Sequence, residues 1–287
     1  MFRVAPEDGP IPTLTLIDDA ADSRATLAPS RGGMVIAWQV RGRDLLYLDR
    51  STFDDRTKNV RGGIPVLFPS PGKLAGDAYS FQGTRGSLGQ HGFARNLPWD
   101  LAATSTGEAA SATLTLGPTD ATRAAYPWDF RLEYTYSLRG PALDIAMVIE
   151  NHGTSPMPFG AGFHPYFAVP RADKTRAQIP TRATRAFDNR SKQEVAFTGF
   201  DFSAPEVDLH LRDHGGSVAS LGLPEVEIAL TGSPELDRWV VWSLHDKDFI
   251  CVEPWSCPGD ALNTGEGLML LAPGARQSLS LRLERTR

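Results

Sequence analysis

Along much of the chain, apolar and polar residues alternate with a period of two. Between residues 131 and 138 the apolar positions Leu132, Tyr134, Tyr136 and Leu138 are separated by Glu133, Thr135 and Ser137. That spacing puts one face of a strand in a core and the other in water. A second run, Leu143, Ile145, Met147 and Ile149, follows across Arg139-Gly140-Pro141, and the intervening turn residues predict an antiparallel hairpin. Residues 226–230 and 279–283 repeat the alternation. Denser apolar runs at 34–40, 239–244 and 249–252 predict strands covered on both faces. No stretch holds a helical stripe for three turns, and 27 glycines and 22 prolines punctuate the chain at short intervals. The pattern predicts an all-β protein, a large antiparallel β-sandwich. Two intervals, 59–96 and 170–205, fit a strand pattern poorly, and long excursions from a rigid sheet are where binding groups tend to sit.

Composition narrows the picture. At 287 residues and 41% hydrophobic content, residues 1–287 can form a single domain with a substantial core, and no internal repeat or low-complexity tract argues for a second. A net charge of −5 with scattered basic residues offers no footprint for a polyanionic backbone, so nucleic acid is not an expected partner. No apolar run approaches the roughly 18 residues that span a bilayer, and the amino terminus lacks a signal-peptide pattern. A cytoplasmic protein without a membrane partner is the expectation. The two cysteines, Cys251 and Cys257, suit a reducing compartment. Neither has a histidine at zinc-ligand spacing, and Cys251, inside an apolar strand, reads as a core residue.

Three clusters carry residues able to do chemistry. The first joins Arg61-Gly62-Gly63-Ile64-Pro65 to Gln90-His91-Gly92-Phe93-Ala94-Arg95-Asn96. Glycines let backbone approach a ligand, and arginine forks bind its oxygens; surface ion pairs of Arg61 and Arg95, with His91 capping a loop, explain the same residues. The second surrounds His164 with Gly162-Phe163 and Pro165-Tyr166-Phe167. Desolvation there lowers the imidazole pKa and readies it for proton exchange, although a buried histidine bonded to a backbone carbonyl is also common. The third is Cys251-Val252-Glu253-Pro254-Trp255. Glu253 precedes a proline expected to stop the ladder, which places its carboxylate in low-dielectric surroundings at the sheet rim. If the strand persists, Trp255 points the same way and its flat face suits the apolar side of a sugar ring.

Taken in order, Arg-Gly-Gly-Ile-Pro, Gln-His-Gly-Phe-Ala-Arg-Asn, Gly-Phe-His-Pro-Tyr-Phe and Cys-Val-Glu-Pro-Trp resemble the aldose 1-epimerase (galactose mutarotase) family. The first two motifs are most similar to its hexose-6-phosphate mutarotase branch. The resemblance implies a galactose-mutarotase-like β-sandwich with the sugar in a cleft on one concave sheet. It implies Glu253 as general base and His164 as general acid, with Arg61, His91, Arg95 and Trp255 contacting substrate. It further implies an aspartate that binds sugar hydroxyls; Asp208 is the best match, with Asp201 and Asp213 as competitors. The expected reaction is interconversion of the α and β anomers of a hexose or hexose 6-phosphate, without cofactor or metal. One base and one acid suffice to open and reclose the ring.

Two other readings remain at this stage. A noncatalytic carbohydrate-binding or sugar-sensing module on the same scaffold predicts binding without anomer exchange. A glycoside hydrolase requires two carboxylates flanking the scissile bond, and only Glu253 has a motif in its favour.

Overall fold

A computed structural model describes residues Met1–Arg287. The expected hairpin forms between Phe130–Arg139 and Ala142–Asn151, with Leu138 opposite Leu143, Tyr136 opposite Ile145 and Tyr134 opposite Met147. Its turn is the two residues Gly140 and Pro141, and Gly140 takes the left-handed φ of 59°. All the inward residues of both strands are buried, while Glu133, Thr135 and Ser137 remain partly exposed. One alternating pattern therefore sets both the register and the buried face.

This hairpin is the centre of a seven-stranded antiparallel sheet ordered Val218–Gly222, Glu227–Gly232, Arg276–Arg285, Ala142–Asn151, Phe130–Arg139, Ala110–Leu116 and Asp100–Ser105. A five-stranded meander over residues 2–44 lies against it through Thr13–Asp18 and Ser23–Ala28. The third large sheet has eight strands. Gln193–Ala196, Arg185–Asp188, Glu206–Leu211, Arg238–Leu244, Phe249–Trp255, Gly162–Phe163 and Val66–Leu67 pair in that order, and Tyr166–Ala168 also joins the Phe249–Trp255 strand. Apolar side chains from all three sheets merge in one core of 60 buried residues. The sandwich is thus all-β, and its longest α-helix is the six-residue Asp120–Ala125.

Both irregular intervals prove to contain strands. Residues 59–96 hold Val66–Leu67 and a small hairpin of Ala78–Phe81 with Thr84–Ser87. Residues 170–205 hold Arg185–Asp188 and Gln193–Ala196, which extend the eight-stranded sheet. These strands have two to four residues, too few for a period of two to stand out. The Arg171–Arg176 turn preceding them is pinned from below: buried Lys174 donates from Nζ to Ser243 Oγ at 2.9 Å and to the Leu244 carbonyl.

A second correction concerns Pro254. The ladder does not stop there; Phe249–Trp255 runs through it, with Pro254 opposite Trp239 and Trp255 opposite Arg238. Gly162 pairs with Trp255 on the other side, so neighbours on both flanks hold a strand that lacks one donor. Glu253 consequently lies in the interior of the sheet, not at its rim.

Phe68 ties two of the sheets together. Its buried ring meets Phe93, Tyr126, Phe130 and Phe159 at centroid distances of 5.3–6.1 Å. Its carbonyl accepts hydrogen bonds from the Phe93 and Ala94 N–H groups at 3.0 and 3.3 Å. Between His91 and Phe93, Gly92 has φ 69°, and a Cβ there would stand 2.2 Å from that carbonyl oxygen. Only glycine permits the chain to pass this close while delivering His91.

Candidate functional site

Directly opposed residues of an antiparallel pair share a face, so register alone defines the outer, concave face of the eight-stranded sheet. Glu253 stands opposite Val240, Cys251 opposite Trp242 and Tyr166, Asp208 opposite Trp242, and His210 opposite Val240 and Phe187. Over this face lies a cleft of about 870 Å³. Its lining includes Arg61, His91, Arg95, His164, Asp208, Glu253 and Trp255, every site residue anticipated from sequence.

At the floor, His164 Nε2 is 3.4 Å from Glu253 Oε1, and both side chains are almost wholly buried. His164 stacks on Tyr166 at 4.6 Å with an interplanar angle of 7°, while its Nδ1 is buried without a partner. Glu253 Oε2 accepts a hydrogen bond from Trp255 Nε1 at 3.1 Å. The imidazole and the carboxylate thus sit side by side instead of facing each other across a ligand. This suits the chemistry expected, because the anomeric hydroxyl and the ring oxygen are bonded to the same carbon.

Burial dominates the electrostatics. It raises the Glu253 pKa well above the usual carboxylate value, helped by negative Asp208 and opposed by the Trp255 hydrogen bond and Arg95. Burial, with positive Arg95 in support, lowers His164 to about 3. Both shifts favour the uncharged form. Between His164 Nε2 and Glu253 Oε1 the pair can share one transferable proton.

His91 is also driven well down by burial and Arg95. Its Nδ1 accepts the Gly72 N–H at 3.0 Å, which fixes the neutral tautomer and leaves Nε2–H as a donor. It therefore ties a loop and lines the cleft at once. Arg95 donates to the Gln90 carbonyl at 2.9 Å, and its Nε is buried without a partner. Arg61 makes no ion pair within the chain; its guanidinium lies 5.7 Å from the Trp242 ring centre. Asp208 accepts from Asn189 Nδ2 at 2.7 Å and lies 3.4 Å from His210. Its two competitors are occupied elsewhere: Asp201 caps Ser203, and Asp213 binds Thr184 and Arg185.

Trp255 differs from expectation in its surroundings. It is 3% exposed, meets His91 and His210 edge to face at 5.7 and 5.1 Å, and is approached by the backbone of Gly72 and Gly162. Little of its ring is open for stacking on a sugar, and its main contact with the chemistry is the hydrogen bond to Glu253.

A profile of the aldose 1-epimerase family matches residues 13–284. The chain belongs to the aldose 1-epimerase family. Among its relatives is a protein of Cenchrus ciliaris named "Putative glucose-6-phosphate 1-epimerase", 30% identical over 252 residues, which are 78% of this chain and 72% of that one. The solved structure of Slr1438 from Synechocystis sp. PCC 6803 is 36% identical, superposes with a TM-score of 0.92 and matches over 99% of both chains. A galactose mutarotase-like protein from Clostridium acetobutylicum shares the fold, with a TM-score of 0.86 at 16% identity, over 100% of this chain and 99% of that one.

Within this epimerase-family chain, sequence reasoning passed over part of the cleft wall. Glu206, Asp208 and His210, alternate residues of one strand, line the cleft together with Arg212 just past its end, as do Tyr166, Lys192 and Trp242. Glu206 accepts from Trp242 Nε1 at 2.9 Å. The period of two across residues 206–212 is the signal in the sequence that places these side chains on one face.

Proposed function

We propose that this protein interconverts the anomers of a hexose 6-phosphate by ring opening and reclosure at Glu253 and His164. The observation that carries the reading is the 3.4 Å pair of a buried imidazole and a buried carboxylate at the floor of a polar cleft. The reactive form has Glu253 as the carboxylate, which the Trp255 hydrogen bond and Arg95 favour, and the shared proton on His164. Glu253 removes the proton of the anomeric hydroxyl while His164 protonates the ring oxygen, and the bond from C1 to that oxygen breaks. The free aldehyde rotates about C1–C2. Reclosure on the other face reverses both transfers and restores the pair, so no net proton is consumed. His91, as an Nε2–H donor, and Asp208, as an acceptor, are placed to hold sugar hydroxyls.

Arg61 supports the phosphorylated substrate, because its guanidinium lines the cleft without an internal counter-ion. The name of the Cenchrus ciliaris relative points the same way. The test compares anomer exchange of glucose and glucose 6-phosphate by polarimetry and exchange NMR. The phosphate is expected to have the higher kcat/KM. Arg61→Gln should raise its KM about 10- to 100-fold, the worth of one charge-assisted hydrogen bond, with kcat little changed. Equal kcat/KM values, unaffected by the substitution, would assign the enzyme to free hexoses. Binding without exchange would make it a sugar-binding module.

The proton count predicts the pH profile. The reactive pair carries one proton, and a second is added only as pH falls through the His164 value of about 3. After subtraction of the uncatalysed rate, kcat/KM for unphosphorylated glucose, which avoids the substrate phosphate's own titration at about pH 6, should stay level through pH 6.5 and decline only at markedly lower pH. An acid limb centred near 6.5, where an ordinary imidazole titrates, would contradict the assignment of a neutral pair.

A further inference from the structure

We propose that the cleft floor is also a reversible binding site for a thiophilic divalent cation, Zn²⁺ or Cd²⁺, held by His164, Cys251 and Glu253. Cys251 is two residues before Glu253 on the same strand, so the pleat directs both to the concave face. Tyr166 and Trp242, its direct cross-strand neighbours, cover it, and it is a free, buried thiol. One donor atom from each of His164, Cys251 and Glu253 lies within 4.8 Å of the others. The spacing of cysteines and histidines along the sequence gives no hint of this, because the sheet register creates it.

The donors suit zinc in kind, number and charge. Thiolate, imidazole and carboxylate are its usual ligands, and bonds of about 2.0–2.3 Å around a tetrahedral ion separate donors by roughly 3.3–3.7 Å. The His164–Glu253 separation of 3.4 Å already meets this, and the widest pair must close by about 1 Å. His164 and Glu253 line the cleft while Cys251 lies fully buried beside them, so a water completing four-coordination would have to come from the cleft side. A thiolate and a carboxylate balance the dication, so the loaded site is neutral, as burial requires. Binding displaces two protons, that of the Cys251 thiol and the one shared by Glu253 and His164, and both leave through the cleft. Hard Mg²⁺ and Ca²⁺, which prefer oxygen ligands, should not compete. His164 Nδ1 lacks the outer partner that usually orients a metal-bound imidazole. This geometry marks an exchangeable site rather than one for a resident ion.

Occupancy would engage both members of the proton-transfer pair, so the cation should inhibit; this consequence, unlike the binding itself, rests on the function proposed above. The experiment titrates metal-free protein with CdCl₂ and ZnCl₂ by calorimetry, recording the ultraviolet thiolate-to-cadmium absorption. Wild type, Cys251→Ser, Cys251→Ala and the control Cys257→Ser are compared, and anomer exchange is assayed with and without metal. Wild type and C257S should bind one equivalent with the thiolate band. Both Cys251 variants should lose the band and bind at least about 10-fold more weakly. Their exchange activity should persist at zinc concentrations that stop wild type, and chelation should restore the latter. Absence of the band, or unchanged affinity in both Cys251 variants, would overturn the site. Loss of the band with no exchange activity in any variant would support the site and overturn the functional reading alone.

Discussion

Glu253→Gln is expected to slow anomer exchange by about 10²–10⁴-fold, the usual contribution of one general acid-base group. Glutamine keeps the volume and an oxygen able to accept the Trp255 hydrogen bond, but it cannot take a proton. Stability should not fall. Because burial raises the native pKa of Glu253, its folded form holds a proton that the unfolded chain releases above about pH 4.3. Any charge forced onto it at higher pH works against folding. A permanently neutral amide removes that penalty, so the thermal midpoint should be equal to or higher than that of wild type at neutral pH. Exchange NMR and a melting curve on the same sample check both statements. A variant that retains its turnover would remove Glu253 from the mechanism.

Phe68→Ala should be the most damaging single change to the scaffold, costing about 3–5 kcal/mol as typical for a buried phenylalanine. The ring is fully buried and joins Phe130 of the seven-stranded sheet to Phe93, Tyr126 and Phe159, so no single neighbour can collapse into the space. A functional loss should accompany it. The Phe68 carbonyl holds the two N–H groups just after His91, and a loosened loop should raise KM more than it lowers kcat. Denaturant unfolding combined with steady-state kinetics separates the two effects. A loss of under about 1 kcal/mol would show that the aromatic cluster repacks.

Much of the fold was legible because long strands advertise themselves. Ten-residue stretches such as Phe130–Arg139 give the period of two room to repeat, and the same alternation then dictates partner, register and face. The short strands Arg185–Asp188 and Gln193–Ala196 offer too few positions, and their pairing is decided by the sheet they join. Pro254 misled for a related reason: a local rule about a missing donor was overridden by neighbours on both flanks.

The site was legible one strand at a time. That Glu253 and Trp255 share a side follows from their spacing, and the desolvation of His164 follows from its aromatic neighbours. Their meeting at 3.4 Å does not follow, because it depends on how residues 162–168 lie against residues 249–255. Only the resemblance to a family joined the motifs beforehand. The hydrogen bond from Trp255 was equally out of reach, since it requires Gly72 and Gly162 to close over the indole.

The strand at Glu206–Leu211 contributes a row of acid, acid and imidazole to the wall, with Arg212 just beyond, yet neither partner of the proton exchange. On the proposed function, part of the sugar-facing wall is therefore carried on a different strand from the proton-transfer pair. If that reading holds, substitutions along this row should change which sugar is admitted while leaving the Glu253–His164 pair in place.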